Sequence, residues 1–209
     1  EGEHDRALDV AERTIAMLEK NGEVALRTCC MIIRAVVHAR RHNWQRAWVD
    51  ITDVQTMLPD GGGRNFQAYH VHALLPELLL ELATKPDAMH SLDGVDVDDV
   101  MRRAKVAMKA CAQQSKQRPL LRPNAARQKA MWAHATSSSS SSELAGKAVL
   151  LARTQNQAFD LASSLMWLAQ LPSTSDAVKD QAQTEAQDIF QRLGCQWHQE
   201  QLQQNRSGG

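Results

Sequence analysis

The stretch TCCMIIRAVVHARRHNWQRAWVDITDVQTMLP, residues 28–59, reads as two helices and the turn between them. Met31, Ile32, Ala35 and Ala39 recur at the three- and four-residue spacing of one helix face, in a stripe that starts at Val24 and stops near His42 and Asn43. Trp44 opens a second stripe through Ala47, Trp48, Ile51, Val54 and Leu58. Pro59 and the glycines Gly61, Gly62 and Gly63 close it. Ala35 and Ala47 are small where the two helices would cross, which lets antiparallel helices approach closely. The stretch therefore predicts a helix hairpin.

The same spacing extends in both directions. Ala7, Leu8, Ala11, Ile15 and Leu18 predict a helix over 5–20. Further helices are predicted at about 65–84, 98–116, 124–135, 143–154, 156–171 and 175–193, with ends at Pro86, Pro172 and Gly194. Asp98 and Asp99 suit a helix start, where carboxylates meet unpaired N–H groups. Thr136 and the six serines Ser137 to Ser142 have no apolar surface to bury and predict a flexible linker. The expected organisation is helical repeats over 1–135, a linker over 136–142, further repeats over 143–195 and a polar, frayed tail over 196–209. Ala-x-x-x-Ala steps at Ala7/Ala11, Ala148/Ala152 and Ala182/Ala186, the last two 34 residues apart, point to internal repetition. The fold class is all-α, a right-handed α-solenoid of about nine antiparallel helices. Gly2, five residues before Ala7, stands where a turn between paired helices would lie. The first helix then reads as the second half of a repeat whose partner is absent, and the chain as a piece of a longer protein.

Composition narrows the function. The 209 residues carry 24 Lys and Arg against 24 Asp and Glu, which excludes a uniformly basic nucleic-acid binder. Hydrophobic residues at 43% and charged residues at 23% are ordinary globular usage. The apolar run from Leu74 to Leu82 is broken by Pro76, Glu77 and Glu81 and is too short to span a membrane. Cys29, Cys30, Cys111 and Cys195 form no CxxC pair and sit within helical patterns, which fits a reducing, intracellular compartment. The Asp60–Arg64 glycine run lacks the Lys-Ser/Thr of a phosphate loop and follows a helix, so it reads as a turn. His38 with His42, and His70 with His72, lack the HExxH or Cys partners of a zinc site, and Asp93, Asp96, Asp98 and Asp99 miss the spacing of a calcium loop. No nucleophile–base set announces itself. The expectation is a binding protein without catalytic residues, metal or cofactor.

Charge is more informative than any motif. Nine basic residues and no acid lie between Met101 and Ser142, after seven acids and one Lys between Glu77 and Asp99. At 100° per residue, Arg102, Lys105, Lys109 and Lys116 fall on one strip of the fifth predicted helix, away from Val100, Ala104, Met108 and Cys111. Such a strip suits phosphates or an acidic partner segment. A second candidate is the concave side of a stacked array, which takes extended peptides. Arg34, His38, Arg41, Tyr69 and His70 would line it from the first helix of each pair.

Residues 28–59, with Ala35, Ala47, Ile51, Val54 and the terminal Pro59, resemble a tetratricopeptide repeat. EGEHDRALDVAERTIAMLEK (1–20), MIIRAVVHARRHNWQRAWVDITDVQTML (31–58) and FQAYHVHALLPELLLELA (66–83) resemble consecutive helices of the tetratricopeptide subunits of the cohesin loader. AVLLARTQNQAFDLASSLMWLAQL (148–171) is similar to that family's last repeats. The serine run and a shortened middle depart from the family pattern. The resemblance implies a nuclear, non-catalytic scaffold in sister-chromatid cohesion. Its solenoid would wrap an extended segment of the large HEAT-repeat loader subunit, with the basic strip near DNA. TEAQDIFQRLGC (184–195) resembles instead the C-terminal helical sensor arrays of multidomain signalling ATPases, nucleotide cyclases and transcription activators, which would make the chain a regulatory piece of a larger enzyme.

Overall fold

The computed structural model describes residues 2–58 and 68–207. Eleven α-helices and no strand occur among the described residues: α1 (Gly2–Lys20), α2 (Val24–Arg40), α3 (Trp44–Met57), α4 (Tyr69–Thr84), α5 (Pro86–His90), α6 (Val97–Gln117), α7 (Arg122–Ala135), α8 (Ser141–Thr154), α9 (Ala158–Gln170), α10 (Asp176–Arg192) and α11 (Gln196–Ser207). The count exceeds the nine expected because α5 and α11 are helices too. Helices pack in successive pairs. Pro59 and the Asp60–Arg64 glycine turn fall outside the described residues, as does the predicted start of the fourth helix at 65.

The turns explain the pairing. Gly22, His42, Ser137, Asn156 and Gly194 hold left-handed φ of 70°, 56°, 56°, 53° and 69°. In each case that residue's N–H donates to the carbonyl three residues back, and the next N–H donates to the carbonyl five residues back, at 2.7–3.3 Å. This doubly bonded helix end satisfies carbonyls that the helix leaves orphaned. The step is 20 residues from Gly22 to His42 and 19 from Ser137 to Asn156, longer than half of a 34-residue repeat. Asn43 also caps α3, its side-chain oxygen accepting from the Arg46 N–H at 3.3 Å.

The chain divides into two compact units between Gln117 and Arg118, so the serine run lies inside the second unit. In the first, α2 packs against α1, α3 and α4, and α6 packs against α4. Ala35, Ala47, Ile51 and Val54, the positions that predicted the hairpin, are all fully buried, with Ile32, Leu79, Leu82, Val100 and Ala104. Pro76 sits inside α4 and is itself buried. It donates no N–H, so the preceding turn loses one helical bond without the helix ending.

In the second unit α8 packs against α7 and α9, α10 against α9 and α11, and α7 also reaches α9. Ala148 and Ala152 on α8, and Ala182 and Ala186 on α10, are buried, the α10 pair in one core cluster with Ala162 and Leu165 of α9. Phe190, Ile189, Leu165, Ala162 and Leu202 form one core cluster. Leu202 belongs to the expected tail, which is helical in the structure: Leu202 enters that cluster and the His198 ring stacks on Phe190 at 4.5 Å. Ser137–Ser140 make the α7–α8 turn, and Ser141 and Ser142 open α8, with Ser141 buried.

Candidate protein-interaction surfaces

The five residues expected to line a groove have separate environments. Arg34 on α2 makes a two-pronged pair with Asp50 on α3, its Nε donating to Oδ2 at 3.0 Å and its Nη2 to Oδ1 at 2.6 Å. The Asp50 side chain is only 3% exposed, so this pair ties the two helices together. Hydrogen bonding to Asp50 raises the Arg34 pKa, against the opposing pull of burial. His38, one turn further on, is buried. Burial lowers its pKa, with Asp50 opposing and Arg34 and Arg46 adding to the fall. Arg41 is exposed and donates to Asp5 on α1 at 2.6 Å.

Tyr69 and His70 open α4, half-buried and exposed respectively, with rings edge to face at 5.4 Å. Cys29 is electrostatically coupled to the backbone of His70 and Val71, which places the start of α4 beside the first half of α2. Arg41 lies past the other end of α2, twelve residues from Cys29 and so about 18 Å along the axis. The set spans the length of a helix, and Arg34 and His38 are engaged within the unit.

The four residues of the predicted strip share one exposed face of α6. Arg102, Lys105, Lys109 and Lys116 are all exposed, while Val100, Ala104 and Cys111 face the core. Arg102 is neutralised by Asp99, which also takes the Arg103 Nε at 2.7 Å and whose pKa these two arginines lower. Arg103 turns away from the strip. It donates to Gln55 on α3 at 3.0 Å, and its guanidinium stands 5.2 Å from the Trp48 ring centroid. Lys105, Lys109 and Lys116 make no ion pair among the described residues. Val106, 51% exposed, lies on the same side of the helix and gives the strip an apolar neighbour.

The remainder of the basic block belongs to the second unit, and its Arg127 is not a surface charge. That side chain is 5% exposed and reaches Asp160 and Ser164 on α9 at 3.2–3.3 Å, while Asn124 Nδ2 donates to Asp160 at 2.8 Å. Sequence position alone could not separate it from the lysines, because its acid lies 33 residues downstream.

One surface had no place in the sequence reading. An open depression of about 500 Å³ lies between α1 and α2, lined by Val10, Ala11, Thr14, Cys30 and Ile33, with Arg6 and Ala7 at one end. Val10 is 48% and Ile33 39% exposed. Its signal was present as Leu26, Cys30, Ile33 and Val37, a second stripe at helical spacing on α2.

The four cysteines are free thiols, and burial pushes Cys29, Cys30 and Cys195 above the ordinary thiol value, away from the reactive thiolate. Among the described residues no group of His, Cys, Asp and Glu could hold a metal ion, and no helix is long and apolar enough to cross a membrane. No protein-family model, curated protein or solved structure matches the chain. It is an all-α protein whose helices pack in successive pairs.

Proposed function

We propose that this chain is a non-catalytic protein–protein scaffold with tetratricopeptide-like helix pairs, a subunit of the cohesin-loader type that holds an extended acidic segment of a larger partner. The observation that carries the reading is the α6 strip: Lys105, Lys109 and Lys116 exposed on one helix face without a counter-charge among the described residues. Of the other exposed arginines of the first unit, Arg13 is matched by Asp9 and Arg41 by Asp5, while Arg6 and Arg46 stand apart from one another on α1 and α3 rather than on a shared helix face. Three unmatched lysines beside Val106 fit a partner segment that alternates carboxylates with small apolar side chains. Contacts to DNA phosphates through three lysines would give a salt slope of only about −2.7 in log K per log unit. That is a small footprint for chromatin retention, so the strip favours a protein segment over duplex DNA.

Fluorescence anisotropy with the N-terminal segment of the HEAT-repeat loader subunit tests the reading. Lys105→Glu with Lys109→Glu and Lys116→Glu is expected to weaken binding about tenfold or more and to leave the helical circular-dichroism signal intact. Absence of binding by the native chain, or unchanged affinity in the triple variant, refutes it. Stronger retention of duplex DNA than of the acidic segment also refutes the protein assignment.

A further inference from the structure

Carboxylates share the face of α6 that carries the lysines. At 100° per residue Asp98, Lys105, Lys109 and Lys116 fall within one sector of about 40°. Asp96 starts the helix: its main-chain carbonyl accepts from the Val100 N–H at 3.1 Å, and its carboxylate accepts from the Asp98 N–H at 3.2 Å. Asp96 and Asp98 are exposed, and neither makes an ion pair among the described residues. Asp99 differs, being held by Arg102 and Arg103. The face is therefore acidic where α6 begins and basic further along. A helix face of that kind is complementary to itself when reversed, which is the requirement for a twofold contact. α6 lies in the interior of the chain, after α5 and before α7.

We infer that a second copy of this chain covers the strip when no larger partner is bound, the two α6 helices lying antiparallel about a twofold axis. This rests on the reading of the strip as a face for carboxylates, and adds how that face is regulated. Setting Asp98 of one copy opposite Lys105 of the other puts the axis between Met101 and Arg102. At 1.5 Å per residue Lys109 lies about 11 Å from that axis, and Val97, where α6 begins, about 7 Å from it on the other side. One extended residue beyond Val97 brings Asp96 to about 10 Å. The register that pairs Asp98 with Lys105 therefore also pairs Asp96 with Lys109, and the twofold repeats both pairs. Near the axis Arg102 is already answered by Asp99 of its own helix, so no bare cations are brought together there. Half-buried Met101 stands beside the axis, where it meets its counterpart. A parallel pair would set acid against acid and lysine against lysine, and like-charge repulsion excludes it. Ion pairs this exposed are individually weak and screened by salt. A partner segment with more carboxylates displaces such a contact, so the larger partner binds by dispersing the pair.

Sedimentation velocity of the full chain, from about 1 to about 100 μM at low salt, tests the inference. The native chain is expected to pass from monomer to dimer across that range. Raising salt from about 0.05 to about 0.5 M is expected to weaken the dimer at least about tenfold. Asp96→Asn with Asp98→Lys keeps a capping side chain on α6, and Lys105→Glu with Lys109→Glu reverses the other end of the face. Each double variant alone is expected to pair at least about tenfold more weakly than the native chain. Mixed in equal amounts they are expected to restore the dimer, since one face then offers only cations and the other only carboxylates. That restoration also shows that both variants are folded. A native chain that stays monomeric, a dimer indifferent to either reversal, or a mixture no more dimeric than its components overturns the inference. The Asp96→Asn, Asp98→Lys chain keeps all three lysines and is expected to bind the acidic partner segment at least as tightly as the native chain. A monomeric native chain that binds this segment sinks the self-pairing and leaves the strip reading standing. A dimer that both reversals disperse, in a chain that ignores the segment, supports the self-pairing and sinks the partner.

Discussion

Replacing Arg34 by Met tests whether the predicted groove arginine is a structural tie. The substitution keeps the length and apolar stem of the side chain and removes both charge-assisted bonds, at 3.0 and 2.6 Å, that reach Asp50. Asp50 is left as a carboxylate with 3% of its side chain exposed and no counter-ion. Breaking such a pair from one side costs about 3–5 kcal/mol, and the 22% exposure of Arg34 lets water reach one edge, which favours the lower end. The first unit spans Glu1–Gln117. An unfolding entropy of about 2.1 cal/mol/K per residue over that length turns about 3 kcal/mol into a fall of about 12 °C in the midpoint of its transition. Differential scanning calorimetry reads that shift. Arg34→Met with Asp50→Leu, which removes both charges, is expected to recover most of it, because the penalty lies in the orphaned carboxylate. A single variant within about 0.5 kcal/mol of the native chain would refute the reasoning, since exposed substitutions fall in that range.

His38 supplies a pH dependence of definite sign. Burial holds its folded pKa below the ordinary value of 6.5, so the unfolded chain takes up the proton first as pH falls. This contribution to stability is complete above about pH 6.5 and is lost as pH drops below it, until the folded pKa is passed, at no more than about 1.4 kcal/mol per pH unit. His38→Phe is expected to flatten that part of the curve, and identical acid curves for the two chains would contradict it. Leu202→Ala empties a side chain that is 1% exposed and should cost about 3 kcal/mol locally. Hydrogen exchange should show α11 amides losing protection before those of α8, and uniform protection would mean that α11 is held by something else.

How much of this was legible in the sequence depends on where each residue's partner lies. Ala35, Ala47, Ile51 and Val54 were readable because their partners are the neighbouring helix, a fixed number of residues away. The alanine steps on α8 and α10 were readable for the same reason. The ties of Arg34 and Arg127 were not readable because a charge count along the chain cannot see Asp50 sixteen residues on or Asp160 thirty-three residues on. α11 was missed because Trp197 and Leu202, five residues apart among glutamines, give no helical stripe, yet Leu202 reaches a core built largely by α9 and α10. The α1–α2 depression was missed for a different reason: α2 carries a second apolar stripe, Leu26, Cys30, Ile33 and Val37, beside the one through Met31, Ile32 and Ala35, and spacing alone does not say which is covered.

The repeated turn also bears on how this chain tolerates change. All five are closed by backbone amides and carbonyls alone, and the left-handed position is filled by Gly, His, Ser or Asn. Identity at these places is nearly free, at the strain of a left-handed side chain, about 1 kcal/mol. What is not free is the count: one residue more between Ala133 and Ser138 would misalign both bonds and rotate α8 by about 100° against α7. A run of identical serines can therefore occupy the α7–α8 turn and remain ordered. Low sequence complexity there records a loosely read alphabet on a strictly kept ruler.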